Sequence, residues 1–392
     1  MPPRKKIDIK EQTTKNGVTI YVVDKVMTDS KIASKEGDYF KERHYGLVLK
    51  ENADVYTYDE DKKKRKLLLK IRKKVIPKKL TDRALDSFVE AAKKKHENRG
   101  AAAGRLDRKK LRGYVGKLVN TGKYRTGYIS NKTNKVSGQM YSNLAPSNIV
   151  GYFDKADRNM RGYGAPCRLT AFNRDNVEKW NNVVPFIQKV NSVFKKLVPG
   201  PYKKQRDRAM KTPKFIIPKT SFSTITINYS WRTALHKDAG DYREGYGNLV
   251  VIEDPNNKHS YDGCYMGFPQ YGVCVDVRTG DFLAMDVHEW HCNTEFKSRR
   301  RRTRQDGSKR KSAKRSRRRS RERRRSSKER SQNRKKKRSI PSDNKNDRVN
   351  RWYYNRLSMV FYLREGMLKC SNLENTKNKE GYFLKSKKSL ER

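Results

Sequence analysis

The stretch 222–296, closed by a late segment that begins at Arg356, constrains the fold more than any other part of the chain. It is a succession of short runs in which alternate residues are apolar, separated by polar or glycine-rich turns. After FSTITINY come the loop 239–247, the run 249–252, and Val273, Val275 and Val277. The turn Thr279-Gly280-Asp281 and the run 282–287 follow. In RLSMVFYLRE, Arg356 and Ser358 share one strand face while Leu357, Met359 and Phe361 share the other. Short antiparallel strands with regularly spaced turns make a sandwich or a jelly roll.

Four polar residues stand out in this frame. His236 and Asp238 are two apart at the end of an alternating run, so an extended strand points both to one face. His288 and His291 follow about fifty residues later. Two histidines and one carboxylate are the 2-His-1-carboxylate set that leaves positions open on a non-haem Fe(II). A lone His-x-Asp is as well explained as a polar pair at a strand end, and the surrounding strands are what favour the metal. His288 and His291 are three apart, which on a strand means opposite faces, so one of them at most joins the set.

The blocks TALHKDAGD, GCYMGFPQYG, VRTGDFLAMDVHEWHCNTE and RLSMVFYLRE resemble the TET/JBP group of Fe(II)- and 2-oxoglutarate-dependent DNA base oxygenases, closest to JBP-like members of phages and large DNA viruses. The resemblance covers about the C-terminal half, apart from one inserted segment that makes the gap from His291 to Arg356 oversized. It implies an α+β fold, with a double-stranded β-helix (jelly-roll, cupin-like) core buttressed by helices. It implies His236, Asp238 and His291 as iron ligands, Arg356 as partner of the far carboxylate of 2-oxoglutarate, O2 as cosubstrate and ascorbate as reductant. His291 is preferred to His288 because Cys292-Asn293-Thr294 matches the family pattern after the ligand. His288, Ser358, Asp286 and Glu289 are expected behind the ligands. Tyr229, Trp231 and Trp290 either hold a base at the barrel mouth or are ordinary core.

The implied reaction is hydroxylation of the C5-methyl of a pyrimidine in DNA, thymine to 5-hydroxymethyluracil ahead of 5-methylcytosine. The alternatives are an AlkB-like nucleic-acid demethylase, a protein hydroxylase, and a non-catalytic polyanion-binding protein on an oxygenase scaffold. An intact ligand set together with Arg356 argues against the last.

Charge points the same way. A formal net charge of +53 over 392 residues favours a polyanionic partner such as nucleic acid. No apolar run approaches the roughly 20 residues of a spanning helix, and MPPRKKIDIK lacks the apolar core of a secretory leader. Five scattered cysteines without metal-finger spacing indicate reduced thiols in an intracellular protein, at the nucleus or site of DNA replication.

In chain order, residues 1–15 read as a disordered basic tail and 16–80 as a β-rich extension of the core. The basic KKKRKLLLKIRKKVIPKKL there is a solvated face or a DNA contact. The dioxygenase domain is expected over 81–296 and 345–392. Thr81 caps a helix carrying Leu85, Phe88, Val89 and Ala92. Segment 121–163 mixes tyrosines with basic residues, as base-stacking surfaces do and as loops with edge strands also do. Asp175 and Glu178 read as a capping pair for a second helix, kinked or bounded at Pro185. Residues 297–344 read as a disordered insertion: 297–338 holds 25 Lys and Arg against 3 Asp and Glu and cannot offset its conformational entropy by burial. It is a nucleic-acid tether or a tolerated loop.

Overall fold

A computed structural model describes residues 7–59, 64–97, 99–106, 116–121, 123–130, 141–154, 167–298 and 354–370. The N-terminal strands are β1 (Asp8–Lys15), β2 (Val18–Asp24), β3 (Leu47–Leu49), β4 (Ala53–Tyr58) and β5 (Arg65–Arg72). Next come β6 (Ala145–Phe153), β7 (Thr224–Tyr229), β8 (Gly247–Glu253), β9 (Met266–Phe268) and β10 (Val273–Val275). The last are β11 (Phe282–Met285), β12 (Cys292–Asn293) and β13 (Arg356–Tyr362). The larger sheet, of 11 strands among the described residues, runs β1-β2-β4-β5-β11-β8-β13-β7-β6 and ends on the short strand Arg168–Leu169, with Lys95–His96 pairing β6 off this path. A smaller sheet has the order β12-β9-β10-β3. This is the mixed α+β architecture expected, with a mostly antiparallel jelly-roll core.

Both faces of the larger sheet are covered. Helices α1 (Lys78–Lys93), α2 (Val177–Leu197) and α3 (Pro199–Ala209) lie along one side. Phe88, Phe186 and Phe194 share a buried cluster there with Phe222, Val250, Ile252, Leu357, Met359 and Phe361. On the other side, Leu249, Val251, Leu283 and Met285 pack with Phe268, Val273 and Val275 of the smaller sheet. Strand β8 contributes to both clusters, which is why it is apolar at consecutive positions. In β13 only the odd-numbered residues meet the helices. Arg356, Ser358, Val360 and Tyr362 face a cavity between the sheets.

Several expectations are corrected. Residues 8–15 belong to β1, paired with β2 from Asp8↔Asp24 to Lys15↔Val18; a polar edge strand shows no hydrophobic alternation. The cap of α1 is Pro77, not Thr81, whose hydroxyl instead donates to the Lys78 carbonyl at 2.8 Å. A proline lacks only the N–H that a helix start leaves unused. Helix α2 begins after Asn176 and runs through Pro185, and no side chain caps it. Burial of Val183, Phe186, Ile187 and Val190 offsets the proline's cost of about 3 kcal/mol. The thiols are not all reduced: Cys167 and Cys370 form a disulfide, while Cys264, Cys274 and Cys292 are free and buried. The insertion 297–344 lies outside the described residues except for Lys297 and Ser298, as do parts of 121–163. Among the described residues no helix is long and apolar enough to cross a membrane.

Candidate metal centre

The ligand set is assembled by backbone pairing. His236 and His291 form an isolated antiparallel bridge, each N–H donating to the other's carbonyl at 3.0 Å. Asp238 N–H donates to Val287 O at 3.0 Å. The segment after β7 is thereby stitched to the segment after β11, and His291 meets His236 and Asp238 across more than fifty residues of chain. One ligand atom from each of His236, Asp238 and His291 lies within 4.8 Å of the other two. His236 Nε2 is 3.5 Å from one Asp238 oxygen and His291 Nε2 is 3.6 Å from the other.

The imidazoles are oriented for coordination. Nδ1 of His236 lies 2.8 Å from the Ala234 carbonyl, and Nδ1 of His291 lies 2.9 Å from the Glu289 carbonyl. A carbonyl only accepts, so each Nδ1 carries a proton and each Nε2 of the neutral ring is left with its lone pair. Burial, then the neighbouring His291, pulls His236 down to about 4. Burial would raise Asp238, but the His291 hydrogen bond and the charges of His236, His291 and Arg99 bring it to about 2. For His291, burial is outweighed by hydrogen bonding and attraction to Asp238, so its pKa is raised. A dication would replace the proton that His291 shares with Asp238. The donor set therefore fits Fe(II), with His236, Asp238 and His291 as the residues that would hold it.

The three ligands open into a cavity of about 250 Å³. Arg356 reaches it from the start of β13, is 2% exposed, and its Nε has no hydrogen-bond partner. No described carboxylate forms an ion pair with it. A buried guanidinium without a counter-ion fits a bound carboxylate, which matches its fork. Ser358 follows on the same strand face, and Leu249, Met266 and Met285 supply apolar lining.

Other expected residues are placed differently. His288 is outside the ligand group, with Nε2 3.4 Å from Tyr242 O and its N–H bound to Asp286 at 3.0 Å. Lys66 ties Asp286 (2.7 Å) to Glu289 (3.1 Å), and the Tyr271 hydroxyl donates to Glu289 at 3.0 Å. These contacts hold the turn that leads into His291. Trp231 lines the cavity with its Nε1–H unpartnered among the described residues. Tyr229 does not: Thr226 and Asn228 take the inner face of β7, and Tyr229 donates outward to Asp254 at 2.9 Å. Trp290 is also outside the cavity, half-buried with the Lys237 ammonium 5.1 Å from its ring. The cavity further includes Arg99, which lies outside every block quoted above, and Asp241 and Arg364, which lie in TALHKDAGD and RLSMVFYLRE without an assigned role.

The chain is similar to known proteins over part of its length. Residues 148–318 match the Tet_JBP family model, described as the oxygenase domain of the 2OGFeDO superfamily, and so stop short of Arg356. The thymine dioxygenase JBP1-A of Trypanosoma cruzi is 37% identical over 162 residues, covering 40% of this chain and 18% of that protein. Thymine dioxygenase JBP1 of Trypanosoma brucei brucei is 34% identical over 162 residues, covering 41% and 18%. The bifunctional helicase and thymine dioxygenase JBP2 of Trypanosoma cruzi is 35% identical over 152 residues, covering 38% and 13%. The chain thus spans under a fifth of the length of these relatives. A solved structure of NgTET1 in complex with 5mC DNA aligns over 91% of this chain and 84% of that one, with 11% identity and a TM-score of 0.40. Over residues 148–318, the chain matches the oxygenase domain of the TET/JBP family, within the Fe(II)- and 2-oxoglutarate-dependent superfamily.

Proposed function

We propose that this chain is a DNA base dioxygenase that hydroxylates the C5-methyl group of thymine to give 5-hydroxymethyluracil. The observation that carries the reading is the pairing of two features in one cavity: three converging ligand atoms, and a buried Arg356 with no counter-ion among the described residues. The relatives named thymine dioxygenases support thymine over other methylated bases. The net charge of +53 supports a polyanionic substrate and, with it, a DNA-containing compartment.

Bound Fe(II) with 2-oxoglutarate and O2 supplies hydroxylation of a C–H bond, the cosubstrate leaving as succinate and CO2. The chain's own residues prepare that event. His236 and His291 present Nε2 because backbone carbonyls hold their Nδ1 protons. Arg356 would hold the far carboxylate of the cosubstrate, its guanidinium offering a fork that a lysine lacks. Leu249, Met266 and Met285 keep the floor of the cavity apolar, which limits water at the reacting centre. A C5-methyl in duplex DNA lies in the major groove, so the base must leave the stack at a cost of a few kcal/mol. Phosphate contacts from basic surface offset part of that cost.

Nucleoside mass spectrometry tests the proposal, on DNA incubated with the protein, Fe(II), 2-oxoglutarate and ascorbate. Unmethylated and cytosine-methylated templates should both yield 5-hydroxymethyluracil. Hydroxymethylcytosine from the methylated template alone would reassign the substrate, and oxidation of RNA or protein without any change in DNA would refute a DNA-base oxygenase.

A further inference from the structure

The cavity has a second end. Along β13 the inward side chains are Arg356, Ser358, Val360 and Tyr362. At about 3.3 Å per residue, the first and last stand about 20 Å apart along the strand. Arg356 marks the end assigned to the cosubstrate. At the Tyr362 end are Thr226, whose hydroxyl is 3.3 Å from that of Tyr362, and the charged residues Asp241, Arg364 and Arg99.

These charges are not equivalent. Arg364 is neutralised by an ion pair with Asp154. Asp241 is buried and pairs through its main chain with Arg364. Arg99 has no such partner among the described residues. Although the residue as a whole is only partly buried, its Nε and Nη2 are closed off from solvent and make no hydrogen bond among the described residues. Tyr362 and Asp238 are the neighbours that favour its charge, and Arg364 opposes it. Arg99 therefore stands beside the ligand Asp238, on the side of the cavity that the cosubstrate's far end does not occupy. Two buried donors on one edge of a guanidinium are costly to leave unmet, so a ligand oxygen is expected there.

We propose, building on the thymine dioxygenase reading, that Arg99 donates to the C4 carbonyl oxygen of the extruded pyrimidine and selects thymine against cytosine. The ring chemistry leads to this atom. The C5-methyl must face the three ligand atoms, and its ring neighbours are C6, which bears only hydrogen, and C4. The C4 substituent is thus the polar group of the base that comes nearest to Asp238 and Arg99. In thymine it is an oxygen that accepts; in cytosine it is an amino group that donates. A guanidinium has donors only. It meets thymine with a charge-assisted hydrogen bond and meets cytosine donor against donor, a mismatch that discriminates strongly because the unpaired groups are buried.

The test uses the full chain with Arg99→Gln and Arg99→Lys. It measures kcat/KM on matched oligonucleotides carrying thymine or 5-methylcytosine as the only oxidisable base, together with KM for 2-oxoglutarate. Glutamine offers both a donor and an acceptor. Arg99→Gln should lower kcat/KM on thymine by about tenfold or more, and the preference for thymine should shrink by a similar factor. Arg99→Lys, still a donor, should keep the preference while losing rate. KM for 2-oxoglutarate should stay within about twofold in both variants. A thymine preference left unchanged by Arg99→Gln would overturn the proposal. So would a large rise in KM for 2-oxoglutarate at constant base preference, which would assign Arg99 to the cosubstrate. If the unsubstituted protein oxidises neither base, the dioxygenase reading itself fails, and that result appears before any variant is compared.

Discussion

His236 and His291 are locked together through their main chains: each donates its N–H to the other's carbonyl at 3.0 Å, and their rings stand 4.3 Å apart. The ligand spacing is therefore built into a β-bridge and does not depend on two independent loops. A centre held in this way should bind metal in one arrangement, and each ligand should be indispensable.

His291→Ala should lower 2-oxoglutarate conversion to succinate by more than about 100-fold, whereas His288→Ala should cost no more than about tenfold. His288 only braces the turn, through Asp286 and the Tyr242 carbonyl. Succinate release with and without added Fe(II) checks both variants, and the reverse ranking would move the ligand to His288.

Arg356→Lys keeps the charge and loses the fork. KM for 2-oxoglutarate should rise by about 10- to 100-fold, as expected for losing a charge-assisted bidentate contact. Steady-state kinetics with 2-oxoglutarate varied would show it. An unchanged KM would mean that another residue holds the far carboxylate.

Asp241 makes stability pH-dependent in the metal-free protein. Its carboxyl is raised by burial and by Asp238, with Arg364 opposing, so the folded state favours the protonated form. That contribution is complete below the unfolded value near 4 and is lost as pH rises through the raised folded value. Asp241→Asn is neutral at every pH. Its melting temperature should gain on the unsubstituted protein by about 2 °C per pH unit as pH rises from about 5 towards the raised folded value. Melting curves running parallel across that range would show Asp241 to be ionised in the fold.

Deleting 299–338 removes most of the 25 Lys and Arg residues counted in 297–338. DNA affinity should fall, and its logarithm should depend less steeply on the logarithm of salt concentration, because fewer counterions are released on binding. Binding titrations at several salt concentrations measure the slope. An identical slope would show that the segment makes no phosphate contact.

Much of the centre could be read before any coordinates, because it rests on short-range pattern. His236 and Asp238 declare one strand face by their spacing, and the alternation in RLSMVFYLRE separates Arg356 and Ser358 from Leu357, Met359 and Phe361. What stayed hidden depends on tertiary proximity. Cys167 and Cys370 are 203 residues apart, and nothing in their spacing pairs them. Tyr229 lies on an alternating strand whose two faces are both buried, one by helices and one by the cavity, so burial alone did not identify its side. Arg99 follows a helix in a run of small residues without periodicity, and only the fold brings it beside Asp238. Strand β1 is polar apart from Ile9, so its pairing partner defines it and its composition does not.

The position of β13 also dictates when this protein can fold. It lies between β7 and β8, pairing with both, yet it is translated after them and after the whole basic insertion. Until it emerges from the ribosome, β7 and β8 keep open edges and the Phe186–Phe361 contact of the core is missing. Such late, long-range closure is slow and leaves apolar edges exposed meanwhile. A nascent chain stalled within the insertion should therefore remain a client of chaperones, and ordering of the metal-binding bridge should await release of the C-terminal strand.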